Sequence, residues 1–464
     1  MSVLPVAVIG AGPVGLAAAV RLHERGLPFV VLEAGDGPAA AVRQWGHVRL
    51  FSPWRFDVDA AARRLLTAAG WVEPSPEDLP TGGQLAADYL RPLAGLPELK
   101  PHIRYGARVV AVTRLGLDRL RTAGRDRTPF LVRLADGTDL HARAVIDASG
   151  TWATPNVLGA SGIPAHGEAG AAPYVEHALP DVLGADRDRF AGRRTLVVGA
   201  GHSAANTLLA LADLAAQVPG TAITWAIRAA TPARTYGGGT ADALPARGAI
   251  GTRLREHVDA GRVQLVTGFS VQTLTVLPDG AVEVSDGART VVADRIVSAT
   301  GFRPDHRFVA ELRLDLDPVL GSTRALAPLI DPNEHSCGTV PPHGVDELAH
   351  PEPGFYAIGV KSYGRAPTFL LATGYEQARS VAAALAGDWA AARDVQLDLP
   401  ATGVCSSAPA EASGGCCGTA DATADTSGSR GLATGLAGGL LSAPLPLTAV
   451  PAATGAAQAG GCCG

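Results

Sequence analysis

The chain has 464 residues, 47% of them hydrophobic, and a formal net charge of −5. That length allows two or three domains with buried cores, and so weak a charge with no basic block argues against nucleic acid as a partner. No apolar run is long and clean enough to span a bilayer, and the chain enters a strand almost at once with no basic leader, so no membrane partner and a cytoplasmic location are expected.

Val6 to Ile9 form an apolar run too short for a helix and predict a buried strand. Gly10, Gly12 and Gly15 follow in G-x-G-x-x-G spacing, Leu16 to Arg25 reads as an Ala-rich helix, and Phe29 to Leu32 as a second strand ending at Glu33. In a strand–turn–helix unit the first glycine makes the turn, the second lets backbone approach a pyrophosphate, and the third lets helix and strand pack closely. The helix N-terminus supplies unpaired N–H groups for the phosphates. Glu33 stands where a carboxylate accepts hydrogen bonds from a ribose diol, so the stretch predicts a dinucleotide site.

Arg43 to Phe56 mixes arginines with Trp45, Phe51, Trp54 and Phe56. Two readings stand: the segment covers a bound ring system, or its aromatics fill a local core. Thr81 introduces a helix over 82–96, and Ile103 to Val112 reads as a strand pair whose backbone meets an adenine. Phe130 to Leu134, the turn Ala135-Asp136-Gly137 and Asp139 to Ala148 form a hairpin running into DASG at Gly150. Ala281 to Val284, the turn Asp286-Gly287 and Thr290 to Ala299 repeat that design into SATG at Gly301. The recurrence predicts an internal structural repeat.

A second fingerprint lies between these marks. Thr195 to Val198 predict a strand, Gly199 to Ala204 (GAGHSA) its turn, and Ala205 to Ala216 the following helix. Ala204 replaces the last glycine, where the residue has only to be small. The next strand, Ile223 to Ile227, ends in Arg228 and not in an acid, which suits a 2′-phosphate and points to NADPH over NADH, with Arg234 as a second contact. His335, Cys337 and His343 share a loop-rich stretch, but their spacing matches no zinc pattern. Phe355 to Val360 reads as a strand reaching Gly359, and Thr373 to Ala386 as a helix.

From about Thr402 the composition shifts to Ala, Gly, Ser and Thr, too little apolar surface to offset ordering entropy, so a flexible tail is expected. Five of the six cysteines lie there. The adjacent pairs Cys416–Cys417 and Cys462–Cys463 are candidate ligands for a soft ion such as trivalent arsenic.

Two fingerprints and two (A/S)-(S/T)-G strand ends together resemble the two-dinucleotide-binding-domain flavoproteins, over the chain up to about Gly387. SATGFRPD (Ser298 to Asp305) is similar to their ATG motif, and DASGTWATPN resembles its counterpart in flavin-containing monooxygenases. Within that superfamily the chain looks most like the flavin-binding monooxygenase-like oxidoreductases of arsenic-resistance gene clusters. The resemblance implies an α/β fold of two Rossmann-like domains: an FAD domain in two parts (1–165 and 291–395), an inserted NADPH domain (166–290) and the tail (396–464). It places FAD on Gly10, Gly12, Gly15 and Glu33, and NADPH on Gly199, Gly201, Ser203 and Arg228. Trp45, Gly150, Gly301 and Gly359 would stand around the cofactors.

The chain also departs from the pattern. No Asp follows Gly359, where Val360 and Lys361 stand instead, no F-x-G-x-x-x-H motif lies between Trp152 and Phe190, and no C-x-x-C follows either fingerprint. The implied function is an NADPH-dependent flavin monooxygenase acting with oxygen on a small-molecule substrate. Arg55 and Arg365 are the candidate catalytic residues, for polarising an oxyanion or peroxide. Two alternatives stay open: a thiol or metalloid reductase working through the tail cysteines, and a metalloid-binding flavoprotein without catalysis. A homodimer is among the open assemblies.

Overall fold

The short apolar runs become the inner strands of two parallel sheets. The structure, a computed structural model, describes residues 3–237, 239, 245–335 and 340–397. In chain order its main elements begin with β1 (Val6–Ile9), α1 (Pro13–Glu24), β2 (Phe29–Leu32), α2 (Ala40–Gln44), α3 (Trp54–Asp57), α4 (Ala60–Ala68), β3 (Ile103–Arg104), β4 (Val109–Arg114), β5 (Phe130–Leu134), β6 (Asp139–Ala142) and β7 (Ala144–Asp147). They continue with β8 (Val175–His177), β9 (Arg194–Val198), α5 (His202–Gln217), β10 (Ala222–Ala226), α6 (Pro245–Asp259) and β11 (Gln264–Val266). The last are β12 (Thr273–Val276), β13 (Val282–Ser285), β14 (Thr290–Ala293), β15 (Arg295–Ser298), β16 (Phe355–Ala357) and α7 (Leu371–Leu385).

The first sheet has the order β16-β7-β1-β2-β3 and the second β11-β10-β9-β15-β8, with every paired strand parallel. A parallel sheet needs crossover helices on its faces, which is why β1 and β9, at the centres, are apolar and almost wholly buried. α1 and α7 pack on the first sheet, bringing Leu16, Val20, Val381 and Ala382 into one core with Val6 and Val8. α5 does the same for the second with Leu208, Leu211 and Trp225.

The internal repeat is present. Two three-stranded antiparallel sheets, β4-β5-β6 and β12-β13-β14, each hand the chain to a strand of a parallel sheet, β7 and β15. The return arm of each predicted hairpin is therefore two strands and not one. It breaks at Arg143 and at Asp294, because the chain leaves one sheet there for another.

Three further local expectations are corrected. Ile103 to Val112 is not a strand pair: β3 closes the first sheet and β4 opens a separate one, with the Gly106 and Ala107 N–H groups donating to the Gly35 and Glu33 carbonyls. The strand expected to reach Gly359 stops at Ala357, since the Gly359 N–H leaves the ladder for the Gln377 side chain. The helix over 82–96 forms behind its Thr81–Gln84 capping box but is wound as a π-helix over Leu85–Leu90. Among the described residues no helix is long and apolar enough to cross a membrane.

Candidate functional site

Each fingerprint turn is shaped by backbone crowding on one side and open space on the other. Gly10 has φ +100°, and a Cβ there would lie 2.8 Å from the Ala148 carbonyl oxygen, in the DASG strand end. Gly199 has φ +139°, and its Cβ would lie 2.1 Å from the Ala299 carbonyl oxygen, in the SATG end. The two repeats thus brace their first glycines in the same way. A Cβ on Gly15 would meet the Gly10 carbonyl oxygen at 2.0 Å, while the counterpart Ala204 is fully buried. Around Gly12 and Gly201, by contrast, no atom of the described residues beyond the immediate chain neighbours stands within 4 Å of the position a Cβ would take.

Those two open glycines are the N-caps of α1 and α5, and neither helix start has a side-chain cap. Unpaired N–H groups at a helix start beside open space form an anion cradle, so the residues present fit a dinucleotide pyrophosphate at both sites. Glu33 is 9% exposed; one carboxylate oxygen accepts from the Ala11 N–H at 2.7 Å and the other from the Gly35 N–H at 2.7 Å. It ties the glycine turn to the end of β2, and each oxygen keeps a lone pair for a ribose hydroxyl. In the second site the buried Trp225 indole donates to the Gly199 carbonyl at 2.7 Å. Arg228 is exposed at the end of β10 with one long contact, 3.4 Å, to the Ala160 carbonyl, and Arg234 donates to the Pro332 carbonyl. Ser203 lies in the first turn of α5.

The aromatic segment bridges the two fingerprints. Just ahead of it the Ala39 N–H donates to the Ala11 carbonyl of the first turn, and within it Gln44 accepts from the Trp152 indole at 2.8 Å. Trp152 in turn packs on Phe302, ring centroids 5.0 Å apart, so the residues following the two strand ends touch. Phe51 lies 5.2 Å from the ring of His202, the first residue of α5. The core-filling reading of the segment holds for two of its aromatics. Trp54 is buried in the core, and Trp45 packs on Gly82, whose Cβ would come within 2.6 Å of the indole.

Asp57, the residue after this segment, is fully buried, its Oδ1 accepting from the Ser52 hydroxyl at 2.7 Å. Burial pushes its carboxyl from the ordinary 3.8 up to about 7, against the Ser52 hydrogen bond, which favours ionisation. The folded chain therefore keeps a proton that the unfolded chain releases above pH 3.8. The contribution of Asp57 to stability is expected to be fully present below that pH and to be lost as pH rises to about 7. Asp57→Asn should remove this slope, which chemical denaturation of both chains at a series of pH values would measure.

Beyond β16, the Gly359 N–H donates to Gln377 Oε1 at 2.7 Å, and the Gln377 amide lies 3.0 Å from His343 Nε2. His343 Nδ1 lies 3.0 Å from the Pro341 carbonyl, so it carries the proton, and burial lowers the imidazole's pKa. His343 is thus a core histidine supporting Gly359. Lys361 is 1% exposed, with its ammonium 2.6 Å from Asp147 Oδ2, 3.0 Å from the Ser149 hydroxyl and 4.4 Å from the Phe308 ring centroid. It ties the end of β7, just before Gly150, to the turn after Gly359.

The expected catalytic arginines are not gathered into a cleft. Arg55 is exposed, paired with Glu77 and lying over Phe56, and Arg365 is exposed with its backbone N–H on the Leu320 carbonyl. Buried ionisable groups of this region include Asp57, Asp147 and Lys361. The segment around Asp57 was legible as aromatic and basic, but its acid carried no signal in the sequence. Cys337, Cys405, Cys416, Cys417, Cys462 and Cys463 lie outside the described residues. Among the described residues no group of three or more His, Cys, Asp or Glu side chains is arranged to hold a metal ion.

Comparisons with known proteins agree with this architecture. The Arabidopsis thaliana protein named indole-3-pyruvate monooxygenase YUCCA6 is 30% identical over 215 residues, 45% of each chain, so the chain spans less than half the length of that relative. Among solved structures, the bacillithiol disulfide reductase Bdr of Bacillus cereus superposes with a TM-score of 0.61 at 18% identity, covering 83% of this chain and 99% of that one. A flavin monooxygenase mutant from Stenotrophomonas maltophilia gives 0.56 at 21% identity, with 83% and 99% covered. At these identities the superpositions show a shared fold. The model of a family described as pyridine nucleotide-disulphide oxidoreductase matches residues 7–322. The chain belongs to the pyridine nucleotide-disulphide oxidoreductase family.

Proposed function

We propose that the protein is an NADPH-dependent flavin monooxygenase acting on a small molecule. The observation that carries this reading is the stretch from Ala39 to Phe56, which reaches from the first fingerprint at Ala11 to the start of the second fingerprint helix at His202. A segment between two nucleotide cradles is placed to align the reacting rings and keep water from them. When bound, FAD supplies acceptance of a hydride from the pyridine nucleotide and delivery of electrons to oxygen. On the protein's side, Gly10, Gly12, Gly15 and Glu33 hold and orient FAD, Gly199, Gly201 and Ser203 hold the pyridine nucleotide, and Arg228 selects its 2′-phosphate. Gly150, Gly301 and Gly359 carry backbone up to these sites. In the division proposed, 1–165 and 291–395 form the flavin part and 166–290 the nucleotide part, to which β15 adds a strand.

The name of the YUCCA6 relative favours oxygen chemistry, and so does the scarcity of thiols, since only Cys337 precedes residue 405. A link to metalloid resistance, in which the paired tail cysteines bind a soft ion, is proposed as an accessory property.

The test is a spectrum of the purified protein. A yellow chain bleached anaerobically by NADPH supports the reading, and reoxidation in air without stoichiometric peroxide in the presence of substrate separates oxygenase from oxidase. A colourless chain that takes up no FAD overturns it. Truncation after Pro400 should leave NADPH oxidation intact. Arg228→Ala should raise KM for NADPH roughly ten- to a hundredfold, the worth of one charge-assisted hydrogen bond, and leave KM for NADH nearly unchanged in steady-state assays.

A further inference from the structure

The chain passes from the first parallel sheet to the second between β7 and β8, and returns between β15 and β16. Each crossing leaves its strand through a glycine in the left-handed region, Gly150 at φ +71° and Gly301 at φ +87°. Glycine has no side chain to resist a change of φ there, so both crossings begin at a swivel. Contacts such as that between the Phe51 and His202 rings, or from Arg234 to the Pro332 carbonyl, join the two parts singly.

Beyond the swivels the two crossings are clasped to each other. Residues 154–156 and 301–303 run antiparallel, with Pro155 opposite Phe302. The Asn156 N–H donates to the Gly301 carbonyl at 2.9 Å, and the Arg303 N–H to the Thr154 carbonyl at 3.0 Å. Asn156 adds three more bonds. Its carbonyl accepts from the Thr300 hydroxyl at 3.0 Å, its Nδ2 donates to the Thr300 carbonyl at 3.0 Å, and its Oδ1 accepts from Arg303 Nε at 3.0 Å. One end of the side-chain amide meets an acceptor and the other a donor, which leaves it a single orientation. Backbone bonds between short strands specify register weakly, and a side chain bound at both Thr300 and Arg303 fixes it.

We propose that Asn156 is a positioning residue: by clasping the outgoing crossing to the returning one, it sets the orientation in which the nucleotide part faces the flavin part. It acts through the clasp and not on the reacting atoms. Hydride transfer needs its atoms in near contact, and a displacement of about 1 Å arising far from the chemistry costs about a hundredfold in rate. The proposal rests on the assignment of the two fingerprints to FAD and NADPH.

The test compares the FAD-loaded parent with Asn156→Ala, which removes both side-chain bonds, and Asn156→Asp, which keeps the shape and the bond to Arg303 but sets an oxygen against the Thr300 carbonyl. In anaerobic stopped-flow reduction by NADPH, both variants should show a limiting rate lower by roughly ten- to a hundredfold. Flavin content, the NADPH concentration at half-saturation and reduction by dithionite should not change. Amide hydrogen exchange gives a readout that needs neither cofactor: peptides over 150–158 and 299–306 should exchange faster in both variants, while those over β1 and β9 stay as protected as in the parent. Limiting rates equal to the parent's would overturn the proposal. So would a change confined to half-saturation, which would make Asn156 a nucleotide-binding residue, or lost protection over β1 or β9, which would make it a folding residue. A parent that NADPH does not bleach removes the cofactor assignment beneath the proposal, a failure told apart because it precedes any substitution.

Discussion

Gly12→Val is expected to give a chain that folds as stably as the parent when free of cofactor, yet holds no FAD. Gly12 has φ −78° and ψ −175°, extended backbone open to any residue, and beyond its chain neighbours no atom of the described residues stands within 4 Å of the added Cβ. The cost to the apo fold is therefore limited to a poorer N-cap, about 1 kcal/mol. All the added bulk enters the open space that the pyrophosphate would fill, where steric exclusion leaves no measurable occupancy. Gly201→Val makes the matching change in the second site, at φ −90° and ψ 179°. It should keep the yellow colour and lose flavin reduction by NADPH. Apo-protein melting, flavin content and anaerobic stopped-flow reduction distinguish these results. A Gly12→Val protein that stays yellow would remove the first cradle as the FAD site.

Lys361→Met should cost about 3–5 kcal/mol of folding stability, the usual penalty for leaving one partner of a buried ion pair behind. Asp147 is fully buried, and without the ammonium its carboxylate keeps only the Ser149 N–H and hydroxyl. Replacing both partners, Lys361→Met with Asp147→Leu, should recover most of that loss, since well-packed apolar residues often match a buried pair in stability. Flavin affinity is not expected to recover with it, because Ser149 and Gly150 lose the anchor that fixes the end of β7 beside Gly10. Denaturant midpoints with and without FAD measure both quantities. A single variant as stable as the parent would show that the ammonium and carboxylate contribute nothing to holding the two strand ends.

The nucleotide-binding parts were legible because they are local. Glycine spacing, a short apolar strand before it and an Ala-rich helix after it lie within about one βαβ unit, and each reports its own backbone geometry. The twin hairpins were legible for the same reason, although the break at Arg143 and Asp294 was not, since it depends on which sheet receives the next strand. The placement of the arginines was not legible because charge in a loop says nothing about direction: Arg55 finds Glu77 at the surface, and Arg365 stays exposed.

The amino-acid sequence by itself determined the two fingerprints, Glu33 at the end of β2, Arg228 at the end of β10 and the repeated strand ends, all of them consequences of short-range geometry and residue size. Only the tertiary structure decided that Asp57 is buried with a bare oxygen and that Lys361 meets Asp147. Desolvation and pairing are set by neighbours brought together from distant parts of the chain: Tyr375 reaches Asp57 across 318 positions, and Lys361 reaches Ser149 across 212. No local pattern of residues carries that information.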